Sequence, residues 1–313
     1  MTSTPTHTLA TGQPLSVSYG QWGSLSTGVR VSPDFQFGIV LGQPNQGKTT
    51  FLASNPAALI INADCTPHPD PGVSLPAQVF PLVNAAGVPI GPNGLPLYLK
   101  WSHISSMAES LIAAARDNKP RPRVVILDSI IGAIRLLQEE EVEFFNSNFA
   151  KEPKDRINFF YEFIGNWAMS AWGRVYDKFI PWILSLRAAG YGVVLVAHLA
   201  ETTNPANGIS DVNSINMPDR LWRRLHPTAD YCVVVTASID TRVVEDKEKV
   251  TMKDGSVIEM VKARTIERPV RSLIMNQRNL SGIVKCKYNT VDKIELEAGS
   301  GWSDFCTAVL KKS

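Results

Sequence analysis

One short segment constrains this chain more than any other: Gly42-Gln43-Pro44-Asn45-Gln46-Gly47-Lys48-Thr49, with Thr50 after it. Gly42 and Gly47 let the backbone bend until several N–H groups point at one centre, a concave row that suits phosphate oxygens. Lys48 adds a mobile positive charge for the β- and γ-phosphates, and the Thr49 hydroxyl is a hard oxygen ligand for Mg²⁺. The flanks have the required character. Residues 35–41 are apolar and β-prone, and residues 48–53 begin a helix that Asn55-Pro56 must end early. A glycine turn with an incidental lysine would not need a strand before it and a helix after it. Residues 42–50 are therefore expected to bind ATP with Mg²⁺.

Further buried strands follow at 58–62, 124–127, 192–197 and 231–236, and helical spacing at 106–118 and 159–189. Ser106 and Glu109 have capping-box spacing at the start of the first helix, and Pro181 is expected to interrupt the second. Strands alternating with helices predict an α/β fold with a central, mainly parallel sheet flanked by helices. Residues 65–96, rich in Pro and Gly, read as an irregular excursion. Residues 1–33 read as an N-terminal arm and 34–313 as the main domain. Within it, 240–313 holds C-terminal strands, at 270–275 and 283–288, and a closing helix at 303–311.

Residues 123–129, Arg-Val-Val-Ile-Leu-Asp-Ser, have the Walker B pattern: a buried strand whose carboxylate emerges at its C-terminal end. Asp128 is thus the second metal ligand, opposite Thr49. The second strand runs out through Asn62 and Ala63 to Asp64. A carboxylate there can activate the attacking water or can simply cap a turn. The fourth strand ends at His198, which suits either a γ-phosphate sensor or a satisfied structural histidine. Lys48, Asp64, Asp128 and His198 form the expected catalytic set.

The order of these parts resembles the RecA-like P-loop NTPase core, and most closely the phage-type RecA-like ATPases of single-strand annealing recombination. The matching pieces are residues 42–50, 59–64, 124–129, 172–176 and 192–198, then 221–230 and the strand from Tyr231. The resemblance implies an ATP hydrolase acting on single-stranded DNA as a homo-oligomer, a filament or a ring, with a single-strand-binding protein as a further partner. In such proteins a Glu usually ends the second strand where this chain has Asp64. Two loops face DNA in the family. Here they correspond to 138–158, which mixes Glu139, Glu140, Glu141 and Glu143 with Phe144, Phe145 and Phe149, and to 200–220. The acidic run reads more simply as a solvated helix face. The basic cluster Arg220, Arg223 and Arg224 is the expected DNA contact. The family also commonly completes its site with a positive residue from a neighbouring subunit. No residue near the loop other than Lys48 supplies that charge in the sequence, so the reservoir is Lys262, Arg264, Arg268, Arg271 and Arg278.

A hexameric nucleic-acid motor, a small-molecule kinase using residues 264–278 as an arginine-bearing lid, and a nucleotide-gated binding protein are the other readings. The net charge of +2 excludes a protein that coats nucleic acid through overall basicity, so any contact must be local. Apolar residues make up 44% and charged residues 19%, enough for a sizeable core. Cys65, Cys232, Cys286 and Cys306 form no C-x-x-C pair and read as reduced thiols. With no apolar run long enough to span a bilayer and no signal-like N-terminus, the expected location is cytoplasmic, the host cytoplasm if the chain is phage-encoded.

Overall fold

The computed structural model describes residues 7–8, 14–15, 32–66, 76–84, 86–91, 93–203, 210–251, 257–275, 284–286, 292–296 and 301–310. Within these, the backbone alone is described over 200–203, 210–214, 240, 242–251, 257–264 and 266–269. Most of the expected arm, 1–33, and the Arg278 position lie outside the described residues.

The strands of the main sheet are β1 (Phe37–Gly42), β2 (Ala58–Asn62), β3 (Gln78–Phe80), β4 (Val124–Asp128), β5 (Gly192–Thr203), β6 (Ser210–Ile215), β7 (Tyr231–Thr251), β8 (Val257–Ile274), β9 (Lys285–Cys286) and β10 (Lys293–Leu296). They form one sheet in the order β10-β8-β7-β1-β5-β4-β2-β3, with β6 added to β5 and β9 to β7. Every neighbour pair from β7 through β1, β5, β4 and β2 to β3 is parallel, and the C-terminal additions are antiparallel. The expected α/β architecture, a mainly parallel sheet with helices on both faces and extra C-terminal strands, is the one observed.

Strand alternation divides the apolar residues between two layers. Ile39, Leu41, Ile61, Val125, Leu127, Val193 and Leu195 face α2 (Trp101–Arg116), α3 (Ile130–Asn148), α4 (Gly165–Ala188) and α5 (Asp219–Leu225). Val40, Ile60, Ile126, Val194, Val196 and Val233 face α1 (Lys48–Ala53) and α6 (Gly301–Leu310). Burial on both faces is why these strands read as unbroken apolar runs.

Several expectations need correction. The excursion at 65–96 contains β3, which pairs with β2 and extends the sheet. Helix α2 starts at Trp101, five residues before the expected start. Its inward stripe of Trp101, Ile104, Ala108 and Leu111 decides the boundary, and His103 Nδ1 accepts from Lys100 N at 3.1 Å at the helix entrance. Pro181 lies inside α4 without ending it. The buried Phe179, Trp182, Ile183 and Leu186 on either side hold the helix together against the local cost of roughly 3 kcal/mol. The first expected DNA loop is mostly helix, because α3 continues to Asn148. Its acidic run is not a uniformly solvated face. Glu141 is 1% exposed and paired with Arg174 and, at 3.0 Å, with Lys178. Phe145 and Phe149 pack against Trp167, and Phe145 also against Phe163.

The second expected loop is a hairpin: β5 runs on to Thr203 and β6 returns along it. Strands β7 and β8 also exceed expectation. Beyond their pairing with β1, β9 and β10 they pair only with each other, from Ser238↔Val270 out to Thr251↔Val257. At about 3.3 Å per residue this two-stranded ribbon is roughly 45 Å long. The arginines at 264, 268 and 271 thus lie on strand β8. Helix α6 closes the back of α1, with Trp302 Nε1 donating to Asp34 Oδ1 at 2.8 Å and Trp302 N to Ser54 Oγ at 2.9 Å.

Candidate functional site

The sheet brings together residues remote in sequence. Strand β5 lies between β1 and β4, so the end of the loop-bearing strand faces His198 through the register pair Gly42↔His198, while Asp128 pairs with Asn62 on β2. All four positions are at the C-terminal edge of the parallel sheet, where ligands of open α/β sheets bind.

From Gly42 the chain turns through Asn45, φ 62°, and Gly47, φ 85°, into α1. A side chain at Gly42 would meet Val235 O at 2.6 Å, so the loop needs glycine there to pass under β7. Lys48 is buried and folds back over the loop. Its Nζ donates to Gly42 O at 2.9 Å and to Gln43 O at 2.7 Å, and lies 3.2 Å from His198 Nδ1. Thr49 Oγ1 donates to Asp128 Oδ2 at 2.6 Å. The fold thus brings Lys48, Thr49, Asp128 and His198 together in two side-chain contacts at the loop, Lys48 with His198 and Thr49 with Asp128.

Asp64 sits beyond the end of β2. The side chain of Asn62 fixes the turn there, donating to Thr66 O at 2.8 Å, and Ala63 N donates to Asp128 O at 2.6 Å. Asp64 leans on the first turn of α3 at Gly132, where an added methyl group would meet both Asp64 Oδ1 and the Ala63 backbone. Its charge still reaches Lys48, Asp128 and His198. The turn is thus held by Asn62, while Asp64 stands close enough to act on the charges of the loop.

Burial dominates the electrostatics. It raises the Asp128 carboxyl above the usual carboxylate range, against the Thr49 hydrogen bond and the nearby Lys48. It lowers Lys48, against the attraction of Asp128 and Asp64. It lowers His198, helped by the charge of Lys48. Each group is pushed toward its neutral form, as expected of a site that awaits compensating charge. A phosphate chain would compensate Lys48, and a divalent cation would compensate Asp128. The oxygens of Thr49 and Asp128 suit Mg²⁺, which takes few protein ligands and completes its shell with phosphate and water.

Two contacts at the loop were not anticipated in the same chain. Gln46 Oε1 accepts from Ala237 N of β7. Opposite Ala237 in β8, Arg271 covers Gly47. The expectation that Lys48 alone brings charge to the loop is corrected. The signal was the position of Arg271 one strand beyond β7: Asp254-Gly255 in the connecting sequence is a hairpin signature, but that dipeptide suits more than one loop length and so does not alone fix the β7–β8 register.

The expected DNA contacts are together on α5 and are not part of the phosphate site. Arg220 and Arg224 lie over the Tyr176 ring, 5.8 and 5.9 Å from its centroid, and Arg223 pairs with Asp219 at 2.8 Å. Asn216 N donates to His198 O at 2.8 Å, joining the approach to α5 to β5 beside the loop. The side chains of Lys262, Arg264 and Arg268 lie outside the described residues. All four cysteines are free, and among the described residues no helix is long and apolar enough to cross a membrane.

A family described as AAA domain matches residues 35–265. No curated protein matches the chain. Among solved structures, it is similar to the flagellar accessory protein FlaH from Methanocaldococcus jannaschii, at 9% identity and a TM-score of 0.34, over 85% of this chain and 86% of that one.

Proposed function

The chain belongs to the AAA domain family, and from that premise we propose that it binds ATP with Mg²⁺, hydrolyses it, and couples turnover to single-stranded DNA as a homo-oligomer. The observation that carries the nucleotide reading is the Thr49–Asp128 contact at 2.6 Å beside a Lys48 folded over the loop carbonyls. In this reading Lys48 exchanges those carbonyls for β- and γ-phosphate oxygens. Thr49 and Asp128 would hold Mg²⁺, which when bound neutralises charge on the phosphates. Asp64 accepts a proton from the attacking water as its oxygen bonds to the γ-phosphorus and the bond to the β-phosphate oxygen breaks. His198, next to Lys48, registers the loss of the γ-phosphate and passes it toward α5 through Asn216.

The DNA part of the proposal is supported by the resemblance to phage-type annealing recombination ATPases and by the arginines on α5. A single-strand-binding protein is the further partner that this reading implies. The test is ATPase activity of the full chain with no polymer, with single-stranded DNA, with duplex and with RNA, and with Lys48→Ala as control. Turnover that depends on Lys48 and rises most with single-stranded DNA is the expected result. No turnover under any condition would remove the enzymatic reading, and equal turnover in all four would remove the DNA reading alone.

A further inference from the structure

We infer that Arg271 is a phosphate-chain ligand for the nucleotide bound by its own subunit, a role that rests on the phosphate loop holding a nucleoside triphosphate as proposed above. A Cβ built on Gly47 would lie 2.7 Å from Arg271 Nε, 2.9 Å from its Cδ and 3.2 Å from its Cζ. Gly47 has φ 85° and directly precedes Lys48, so this open face belongs to the loop that cradles phosphate. The guanidinium fills the space that the missing side chain leaves.

The approach is built from the strand side as well. Arg271 pairs in register with Ala237, whose N–H donates to Gln46 Oε1, so one β7–β8 pair contacts two successive loop residues. Arg271 also pairs with Leu296 of β10, and the next residues, Ser272 and Leu273, are buried. A side chain rooted on a three-strand segment is held where it stands, as a ligand-binding group should be. Among the described residues no carboxylate forms an ion pair with Arg271. An exposed guanidinium without a carboxylate, laid on a phosphate loop, has the donor geometry for two phosphate oxygens at once. The contact lies within one chain, so no neighbouring subunit is needed for it.

The experiment measures binding of fluorescent ATP and ADP analogues to the full chain, wild type, Arg271→Ala, Arg271→Lys and Lys48→Ala, with thermal unfolding of each in the absence and presence of nucleotide. Arg271→Ala should unfold at the wild-type temperature without nucleotide but bind the triphosphate about 10- to 100-fold more weakly, the range for a lost charge-assisted contact. Arg271→Lys should fall between, since it keeps the charge and loses the fork. Mixing Arg271→Ala with Lys48→Ala protein should restore no turnover, because both lesions act in the same site. Unchanged affinity in Arg271→Ala would overturn the inference. So would tighter binding, which would make Arg271 a plug, and so would rescue on mixing, which would make it act between subunits. Should Arg271→Ala fail to fold, the Lys variant decides by the same affinities. Failure of the wild type to bind either nucleotide would instead overturn the reading on which the inference rests.

Discussion

Thr49 Oγ1 donates to Asp128 Oδ2 at 2.6 Å, which joins the start of α1 to the end of β4. Thr49 follows the loop that leaves β1 and Asp128 ends β4, and β5 lies between those two strands in the sheet. The contact offsets part of a stability cost, because burial raises the Asp128 carboxyl and the Thr49 hydrogen bond acts against that rise.

Asp128→Asn is expected to abolish most turnover yet stabilise the nucleotide-free protein at neutral pH. A carboxyl whose folded pKa is raised favours the folded state below its unfolded pKa, about 3.9, and loses that advantage as pH rises through the folded value. At pH 7 the ionised group is therefore a cost that asparagine removes. Melting temperature should rise by about 2–4 °C for each kcal/mol recovered in a large domain, with the gain disappearing near pH 4. A lower melting temperature for the variant at pH 7 would contradict this account.

The part of this site closest to the sheet was legible in the sequence, because a buried parallel strand has only one way to present the residue at its end. Gly42, Asp128 and His198 each follow an apolar run, and their places at the edge of the sheet could be read from that position. Asp64 was harder, since one turn residue, Ala63, separates it from the paired part of β2 and its direction depends on Asn62 and Gly132. Arg271 was not legible as a neighbour of Gly47. Its placement depends on the register of a long antiparallel ribbon, and neither strand alternates clearly enough to fix a register. The start of α2 was misread for a different reason: the capping-box spacing of Ser106 and Glu109 is a local signal, and burial of Trp101 against Phe179 and Trp182 overrode it.

Asp64→Asn should keep nucleotide affinity near that of wild type and slow hydrolysis by about 10²-fold or more, the usual range for loss of a general base. Gly132→Ala offers an independent approach, since its methyl group must displace the Asp64 side chain or the Ala63 backbone. It should lower turnover in the same direction and also lower the melting temperature. Single-turnover rates with a direct measurement of bound ATP separate the two effects. Loss of binding with a normal residual rate in Asp64→Asn would leave Asp64 only its turn role.

Trp302→Ala should destabilise the fold by about 3–5 kcal/mol, the range for truncating a buried aromatic. The indole packs 5.7 Å from Phe51 of α1 and 5.4 Å from Phe305, and donates to Asp34, so its removal opens the layer behind the phosphate loop. Trp302→Phe should recover much of the packing but not the hydrogen bond. Denaturant unfolding of both variants checks the order, and equal stability of Ala and Phe variants would show that packing contributes little there.

Excision of the outer ribbon distinguishes its base from its tip. Beyond Ile239↔Pro269 the strands β7 and β8 pair only with each other, so residues 240–268 can be replaced by an Asn-Gly turn without touching Ala237 or Arg271. Those two residues are the ones that meet Gln46 and Gly47, and nucleotide affinity should therefore stay within about twofold of wild type, a difference of less than about 0.5 kcal/mol. The excised segment carries seven basic and seven acidic side chains, so it offers no net charge to a phosphate backbone. The salt dependence of single-stranded DNA binding should accordingly survive the excision. Replacing Arg220 and Arg224 together with alanine should instead lower the slope of log affinity against log salt by about 1.4, at 0.7 per lost phosphate contact on a single strand. Fluorescence anisotropy with labelled oligonucleotides across a salt series measures both. If the slope collapses on excision and is untouched by the double arginine variant, the polymer is gripped by the ribbon and the assignment to α5 fails.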